Sequence, residues 1–597
     1  MAVKAPAPRV LAEGAEHKVL PPPSRLVVED GKAYVEIAGR RIPIGGPLPR
    51  LKPGEKHVRV VSTLCPYCQR LLPGRIVERD GKIYIRRVCP EHGEIEELYY
   101  GDSKLYYRMM QYEETGKGVT GVHAYVGIGG PCPFSCGLCA MHENHTALAN
   151  LVVTNRCDLS CFYCFFYAEK AGYVYEPSLE SLRMQVRQLK KQGVTMAVQI
   201  TGGEPTMRDD LVEIVKMLKE EGVRHVQLNT NGIKFAKLFF EDPEKAVEYA
   251  RSLRQAGVNT VYMSFDGVTP KSNWKNHWEA PFTLEVFRRS GMTSVVLVPT
   301  VIRGMNTHEL GDIIRFAAKH MDVVRSVNFQ PVSLSGQLKK HERERMRVTI
   351  ADAINMIAEQ TDNQIYPEAW YPIPVAAKFA KFIEAWTGEP QFCMSNHPMC
   401  GVGTYIYVVR GSNGLPEKLV PITDFFDVDS FVEWLDEKRL YLLEGKSKRM
   451  LVLKGIIDFR KFVKKKNLPD GLNVVTLLKS IVLRRNYDVL GKFHYNFMFL
   501  GMMHFMDQYN YDVTRVRRCN IHYLSPDGRV IPFCTYNVLD DIYRDHILKQ
   551  YKTPLEAYER EVKLKGFNPG EKYNRSKYYK LIKNHPIYKE AYRGILW

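Results

Sequence analysis

Asn155-Arg156-Cys157-Asp158-Leu159-Ser160-Cys161-Phe162-Tyr163-Cys164 is the stretch on which the fold turns. Three thiols in a Cys-x3-Cys-x2-Cys run follow an apolar stretch, residues 151–154, so one short loop at a strand end gathers three sulfurs. Three cysteines hold three irons of a [4Fe–4S] cube and leave the fourth iron open. Downstream, Leu179, Leu182, Val186 and Leu189 repeat at helical spacing, and residues 195–200 read as a strand ending in Thr201-Gly202-Gly203-Glu204-Pro205. A helix near 211–219 leads to a strand at 225–228, closed by Asn229-Thr230-Asn231-Gly232. A helix at 243–255 precedes a strand at 260–265; strand 294–302, helix 310–320 and strand 324–330 follow. Six strand units alternating with helices predict an α/β fold, a partial (β/α)6 barrel over 150–335, with its site at the C-terminal strand ends.

With the aromatic Tyr163 before its third cysteine, the motif resembles the signature of the radical S-adenosylmethionine (SAM) superfamily. The resemblance implies that Cys157, Cys161 and Cys164 hold the cluster whose open iron chelates SAM. One electron then cleaves the sulfonium, and the resulting 5′-deoxyadenosyl radical removes hydrogen from an unactivated carbon. It further implies that Gly202, Gly203 and Glu204 take the SAM amino group, and that Asn229 and Thr230 contact its carboxylate or ribose. Tyr163, Ser264 and Asp266 are expected to join the cofactor site, with Arg303 pairing with the SAM carboxylate. Gly127-Ile128-Gly129-Gly130 lacks the strand and helix that a dinucleotide-binding turn needs.

The chain has 13 cysteines, an odd number that argues against a pure disulfide framework. Cys65-Pro-Tyr-Cys68 and Cys89-Pro-Glu-His92-Gly describe two knuckles of a ribbon or rubredoxin-like site for one Zn or mononuclear Fe. Cys132, Cys136 and Cys139 repeat the triplet spacing just before the first and read as an auxiliary cluster, with His142, His145 or no residue as fourth ligand. Cys393, Cys400, Cys519 and Cys534 are the right number for another four-thiolate cluster, resembling the twitch-type auxiliary domains of the superfamily. The expected complement is three [4Fe–4S] clusters, SAM and one mononuclear metal.

At 597 residues the chain is too long for one ordinary core. The expected divisions are an extension (1–55), the ribbon domain (56–105), an auxiliary-cluster segment (106–149), the barrel, a C-terminal auxiliary-cluster and substrate domain (336–540) and a basic tail (541–597). Hydrophobic residues at 45% and charged residues at 25% mark a folded protein, and a net charge of +18 favours anionic partners. Residues 1–25 are Pro/Ala-rich without the apolar core of a signal peptide, and the most apolar run, 494–506, is too short to span a bilayer. A cytoplasmic protein, peripheral at the membrane, is expected. Residues 438–485 carry 14 Lys and Arg against three acids, a composition suited to an anionic surface. The tail adds Lys and Tyr in a mixture that also suits RNA. Phe497, Met498, Phe499, Met502, Met503 and Phe505 belong to a stretch able to line an alkyl channel.

The ribbon followed by the doubled triplet resembles the archaeal tetraether synthases, and also proteins once grouped as pterin methylases. The first resemblance implies coupling of the terminal carbons of two phytanyl chains, with an anionic archaeal phospholipid as substrate, a donor such as ferredoxin, and no nucleic acid. The alternative is a radical SAM enzyme that modifies a peptide, RNA or pterin.

Overall fold

Six strands form where the apolar runs place them in the computed structural model, which describes residues 20–118, 126–165, 168–191, 197–334, 338–389, 391, 393–469, 497–564 and 572–596. β1 (Leu148–Thr154), β2 (Ala197–Gly202), β3 (His225–Thr230), β4 (Val258–Ser264), β5 (Val295–Val298) and β6 (Val324–Pro331) lie side by side in chain order, all parallel. Two strands from far downstream extend the sheet. β7 (Phe497–Met503) runs parallel against β6, and β8 (Ile521–Leu524) parallel against β1. Antiparallel strands Gly401–Arg410 and Val530–Pro532 then pair with β7 and β8. Segment 336–540 therefore does not stand apart from the barrel, because its strands form both edges of the barrel sheet. Strand spacing alone could not show this, since a short apolar run does not name its neighbour.

Helices cover the outer face, so the parallel strands are buried on both sides and read as near-continuous apolar runs. Two helices, not one, link β3 to β4. Ile233–Glu241 ends at Asp242, whose carboxylate caps Pro243–Ala256 by accepting from the Glu244 and Lys245 amides at 3.1 Å. Helix Ala280–Ser290 bridges β4 and β5.

The N-terminal sheet has seven strands. Ser24–Glu29, Lys32–Ile37 and Arg40–Ile44 join the ribbon strands Lys56–Leu64, Leu71–Arg79, Lys82–Cys89 and Gly93–Tyr100 through a parallel pairing of Ile44 with Leu71. The expected boundary at residue 55 thus cuts a continuous sheet. This sheet docks on the C-terminal half through buried charges: Asp512 takes Arg59 and the Tyr99 hydroxyl, while Arg347 bridges Glu97 and Asp507.

The expected tail is built into the molecule. Thr553–Pro554 pairs with Tyr173–Val174, and Tyr588 and Tyr592, from helix Pro586–Tyr592, are buried beside His277. Among the described residues no helix is long and apolar enough to cross a membrane. Of the basic segment 438–485, residues 470–485 lie outside the described residues, as do 494–496 of the apolar run.

Candidate active site

The cluster loop leaves β1 at Thr154 and returns past Cys164 to the short helix Ala168–Ala171. Its three sulfurs face a cavity of about 310 Å³ at the C-terminal ends of the strands, where a parallel barrel carries its site. Burial pushes the Cys157 thiol well above its usual range and Cys161 up to about 11. Lys275 alone opposes this rise at Cys161, and three thiols gathered on one loop suit a metal cluster, which would take them as thiolates. No three His, Cys, Asp or Glu ligand atoms outside the ribbon lie within 4.8 Å of one another among the described residues. The loop is therefore not drawn in around a single ion; a cube needs its sulfurs wider apart.

The motif residues frame this loop. At Gly202, where φ is +142°, a Cβ would stand 1.9 Å from the Thr154 carbonyl oxygen, and at Gly203 one would stand 2.2 Å from that of Arg156. The glycines let β2 press on the stem of the cluster loop, where Gly203 and Glu204 amides donate to Thr154 and Arg156 at 2.8 Å. Glu204 is buried and its carboxylate is occupied. It accepts from the Thr206 amide and hydroxyl, the Thr230 hydroxyl at 2.8 Å and the Asn231 amide at 2.7 Å. Burial and the nearby Asp158 raise its pKa to about 7. The side chain of Asn231 donates to Asp158 at 2.6 Å, tying the ends of β2 and β3 to the cluster loop. Glu204 and Thr230 thus hold the frame together, whereas Asn229 faces the cavity with an amide oxygen that lacks a partner.

Asp266 is fully buried and engaged with the protein itself. It pairs with Lys275 at 2.9 Å, accepts from the Thr300 amide at 3.0 Å and receives the Tyr163 hydroxyl. Ser264 and Lys275 line the cavity, but Asp266 does not. Arg303 is not a lining residue either. Its guanidinium donates to the Arg347 carbonyl at 3.0 Å and sits 3.4 Å from Asp352. Sequence reasoning gave no role to Asp158 and Asn231, which lie inside the quoted motifs, and missed Lys275, which lies in none. It also missed the amides Asn150, Gln199 and Asn328, which line the cavity together with an aromatic wall. In that wall Phe505 stacks on Phe533 at 3.8 Å and Tyr523 on Phe533 at 5.2 Å.

A second cavity of about 220 Å³ adjoins the first, sharing Tyr262, Asn328, Met503, Phe505 and Ile521. It gathers Cys400, Cys519 and Cys534; Cys393 is half-buried and is not in its wall. Cys132, Cys136 and Cys139 lie elsewhere, with Cys136 packed against Thr535 and Tyr543. His142, expected as a possible fourth ligand, is engaged with the Cys519 carbonyl at 2.7 Å and with His522 at 3.1 Å. The ribbon site is a closed set: ligand atoms of Cys65, Cys68, Cys89 and His92 all lie within 4.8 Å of one another. His92 Nδ1 stands 3.6 Å from Cys65 and 3.5 Å from Cys89. Three sulfurs and one imidazole are a structural zinc set.

Comparison with known proteins agrees with this architecture. Residues 151–317 match the radical SAM superfamily model, and 58–101 match a model described as the HMPTM N-terminal zinc ribbon domain. The 7,8-dihydro-6-hydroxymethylpterin dimethyltransferase of Methanocaldococcus jannaschii is 41% identical over 527 residues, covering 86% of this chain and 99% of that protein. GTP 3′,8-cyclase 3 of Mycobacterium bovis is 28% identical, over 41% of this chain and 64% of its own. The crystal structure of Streptococcus suis SuiB, 17% identical, aligns with a TM-score of 0.29 over 37% of this chain and 47% of that one. The pterin dimethyltransferase corrects the sequence reading on one point. Phytanyl coupling, the phospholipid substrate and the membrane surface give way to the alternative, because the relative that spans nearly the whole chain is named for a pterin. The chain belongs to the radical SAM superfamily, in the same family as that dimethyltransferase.

Proposed function

We propose that this protein is a radical SAM enzyme that methylates a reduced pterin of the 7,8-dihydro-6-hydroxymethylpterin class. The observation that carries the reading is the 41% identity to a dimethyltransferase of that name across 99% of its length. When bound, the cluster and SAM supply one-electron chemistry at carbons that have no acidic proton.

The chain's own part is binding and shielding. Cys157, Cys161 and Cys164 hold the cluster irons, and Asn229 and Ser264 contact SAM. A pterin is a flat ring with hydrogen-bonding edges, which suits a cavity lined by both amides and stacked aromatics. Gln199 donates to Asn150 at 2.8 Å and receives the Gln227 amide, so the amide wall is already oriented before ligand arrives. Phe505, Tyr523 and Phe533 keep water from the reacting carbon. The triplet at Cys132 and the cysteines at 400, 519 and 534, with Cys393 nearby, hold the auxiliary clusters.

The test is anaerobic incubation of the reconstituted protein with dithionite as reductant, methyl-labelled SAM and 7,8-dihydro-6-hydroxymethylpterin. Label is expected in methylated pterin, with S-adenosylhomocysteine left by the SAM that gives its methyl and 5′-deoxyadenosine and methionine formed from a second SAM. SAM cleavage that ignores the pterin and leaves it unlabelled would overturn the reading.

A further inference from the structure

The C-terminal segment reaches the cluster loop from outside the barrel. Lys572 Nζ donates to the Cys157 carbonyl oxygen at 2.7 Å, and the Tyr573 amide donates to that of Asp158 at 3.2 Å. These are the first two residues of the cluster motif, and both contacts grip backbone, so they act on where the loop lies and leave its side chains free. Lys572 also pairs with Glu169 just beyond the loop.

Three residues further on, the same segment holds the loop that follows β4. Arg575 holds the buried Glu279 through two nitrogens, at 2.6 and 3.0 Å, and donates to the Lys275 carbonyl at 2.7 Å. The Tyr573 hydroxyl donates to Glu279 at 2.8 Å. Lys275 is the cavity residue that pairs with Asp266, and Asp266 takes the Tyr163 hydroxyl of the cluster loop. One short stretch, residues 572–575, therefore joins the start of the cluster loop to the loop after β4. A bidentate guanidinium–carboxylate pair with a buried carboxylate fixes both distance and angle, which a surface lysine pair does not.

We infer that residues 572–575 are a clamp that sets the position of the cluster loop against the loop after β4, with Lys572 and Arg575 as positioning residues for SAM binding. The inference rests on the cluster loop being the SAM site and is independent of the pterin reading. The residues touch backbone and partner side chains; neither touches the cavity. Losing one charge-assisted hydrogen bond that orders a binding loop weakens SAM on the order of tenfold.

The experiment compares the full chain with Lys572→Ala, Lys572→Arg and Arg575→Ala, each loaded with iron and zinc. SAM affinity and the electron paramagnetic resonance spectrum of the reduced cluster are read with and without SAM, in the absence of any other substrate. Expected for the two Ala variants is a roughly tenfold loss of SAM affinity and an altered SAM-bound spectrum, at unchanged metal content and Tm, with Lys572→Arg restoring most of the loss. Affinity and spectra equal to the parent would overturn the inference. So would an affinity loss that only follows a general fall in Tm, which is what a segment that merely supports the fold would give. Because no pterin is present, failure here leaves the proposed substrate standing, and the reverse also holds.

Discussion

The ribbon and the cluster loop both collect cysteines at short spacing, yet they are built in different ways. In the ribbon, the turns of two neighbouring hairpins supply every ligand, and the four ligand atoms already lie within 4.8 Å of one another. Cys65 and Cys89 are buried; burial raises Cys65 and pushes Cys68 up to about 12, whereas at Cys89 hydrogen bonds from His92, backbone amides and Cys65 together outweigh desolvation and bring it down to about 7. In the cluster loop the sulfurs line a cavity, burial raises Cys157 and Cys161, and the frame comes from other elements. Glu204 and Asn231 hold one side, Asp266 and Lys275 another, and Lys572 the stem. The ribbon closes on a metal as a local event. The cluster loop is positioned by the whole barrel and is left open for a ligand.

The largest expected effect separates the two regions outright. Replacing Cys157, Cys161 and Cys164 with Ala removes the iron that chelates SAM and abolishes 5′-deoxyadenosine formation, while the ribbon keeps its zinc. Replacing Cys65 and Cys68 with Ala does the opposite: zinc is lost, and 5′-deoxyadenosine still forms with SAM and reductant. Metal analysis paired with product chromatography checks both. If the ribbon variant alone stopped SAM cleavage at intact cluster content, the two regions would be one functional unit and the comparison would fail.

A smaller effect concerns acid. His92 in the ribbon is exposed, whereas His277 and His320 sit buried under the C-terminal helices, His277 beside Tyr588 and His320 against the Ala591 carbonyl at 3.1 Å. Burial lowers His320 to about 4, helped by Arg288 and Lys319 and opposed by the Ala591 carbonyl and Asp322. Burial, with Arg575, lowers His277 to about 3. In the unfolded chain these rings take a proton near their ordinary pKa of about 6.5, so the unfolded state binds more protons throughout the window between. Their contribution to stability is full above that pH and is lost as pH falls through the window toward 4. On the order of 2 kcal/mol per ring is gone by pH 5. Thermal melts from pH 7.5 to 5 should show a falling Tm, and His320→Gln should flatten the slope. A flat profile in the parent would show that burial does not lower these two rings.

How much of this the sequence disclosed follows the same division. The ribbon ligands were legible because both knuckles lie within 28 residues and each carries its own Pro or Gly. The six central strands were legible because each carries a short apolar run followed by turn or motif residues, in alternation with helical spacing. β7 and β8 were not, since pairing between residues 326–329 and 499–502 leaves no local trace. In the site, Gly202-Gly203-Glu204 pointed to the cavity wall, while the frame that Glu204 builds was not legible. A buried carboxylate that already accepts four hydrogen bonds organises the loop, and only the folded chain shows which donors reach it. Lys275 and Lys572 were invisible because their meaning lies in Asp266 and Cys157, partners set by tertiary structure.

The smallest expected effect tests that last point at a residue the sequence singled out. Arg303 follows the end of β5 in the chain, where a cation could meet the SAM carboxylate. The folded chain turns it away, to the Arg347 carbonyl and to Asp352, with 38% of its side chain exposed. A partly exposed pair of this kind contributes about 0–1 kcal/mol. Lys275 occupies the cavity wall instead, buried, with Asp266 keeping it charged against the cost of desolvation. Arg303→Ala should therefore change SAM affinity by less than about twofold, within what loss of one surface pair transmits through the fold. Isothermal titration with SAM on the reconstituted protein measures it directly. A tenfold loss would mean that the guanidinium leaves Asp352 for the cofactor when SAM binds. The motif position would then have told more about Arg303 than its present contacts do.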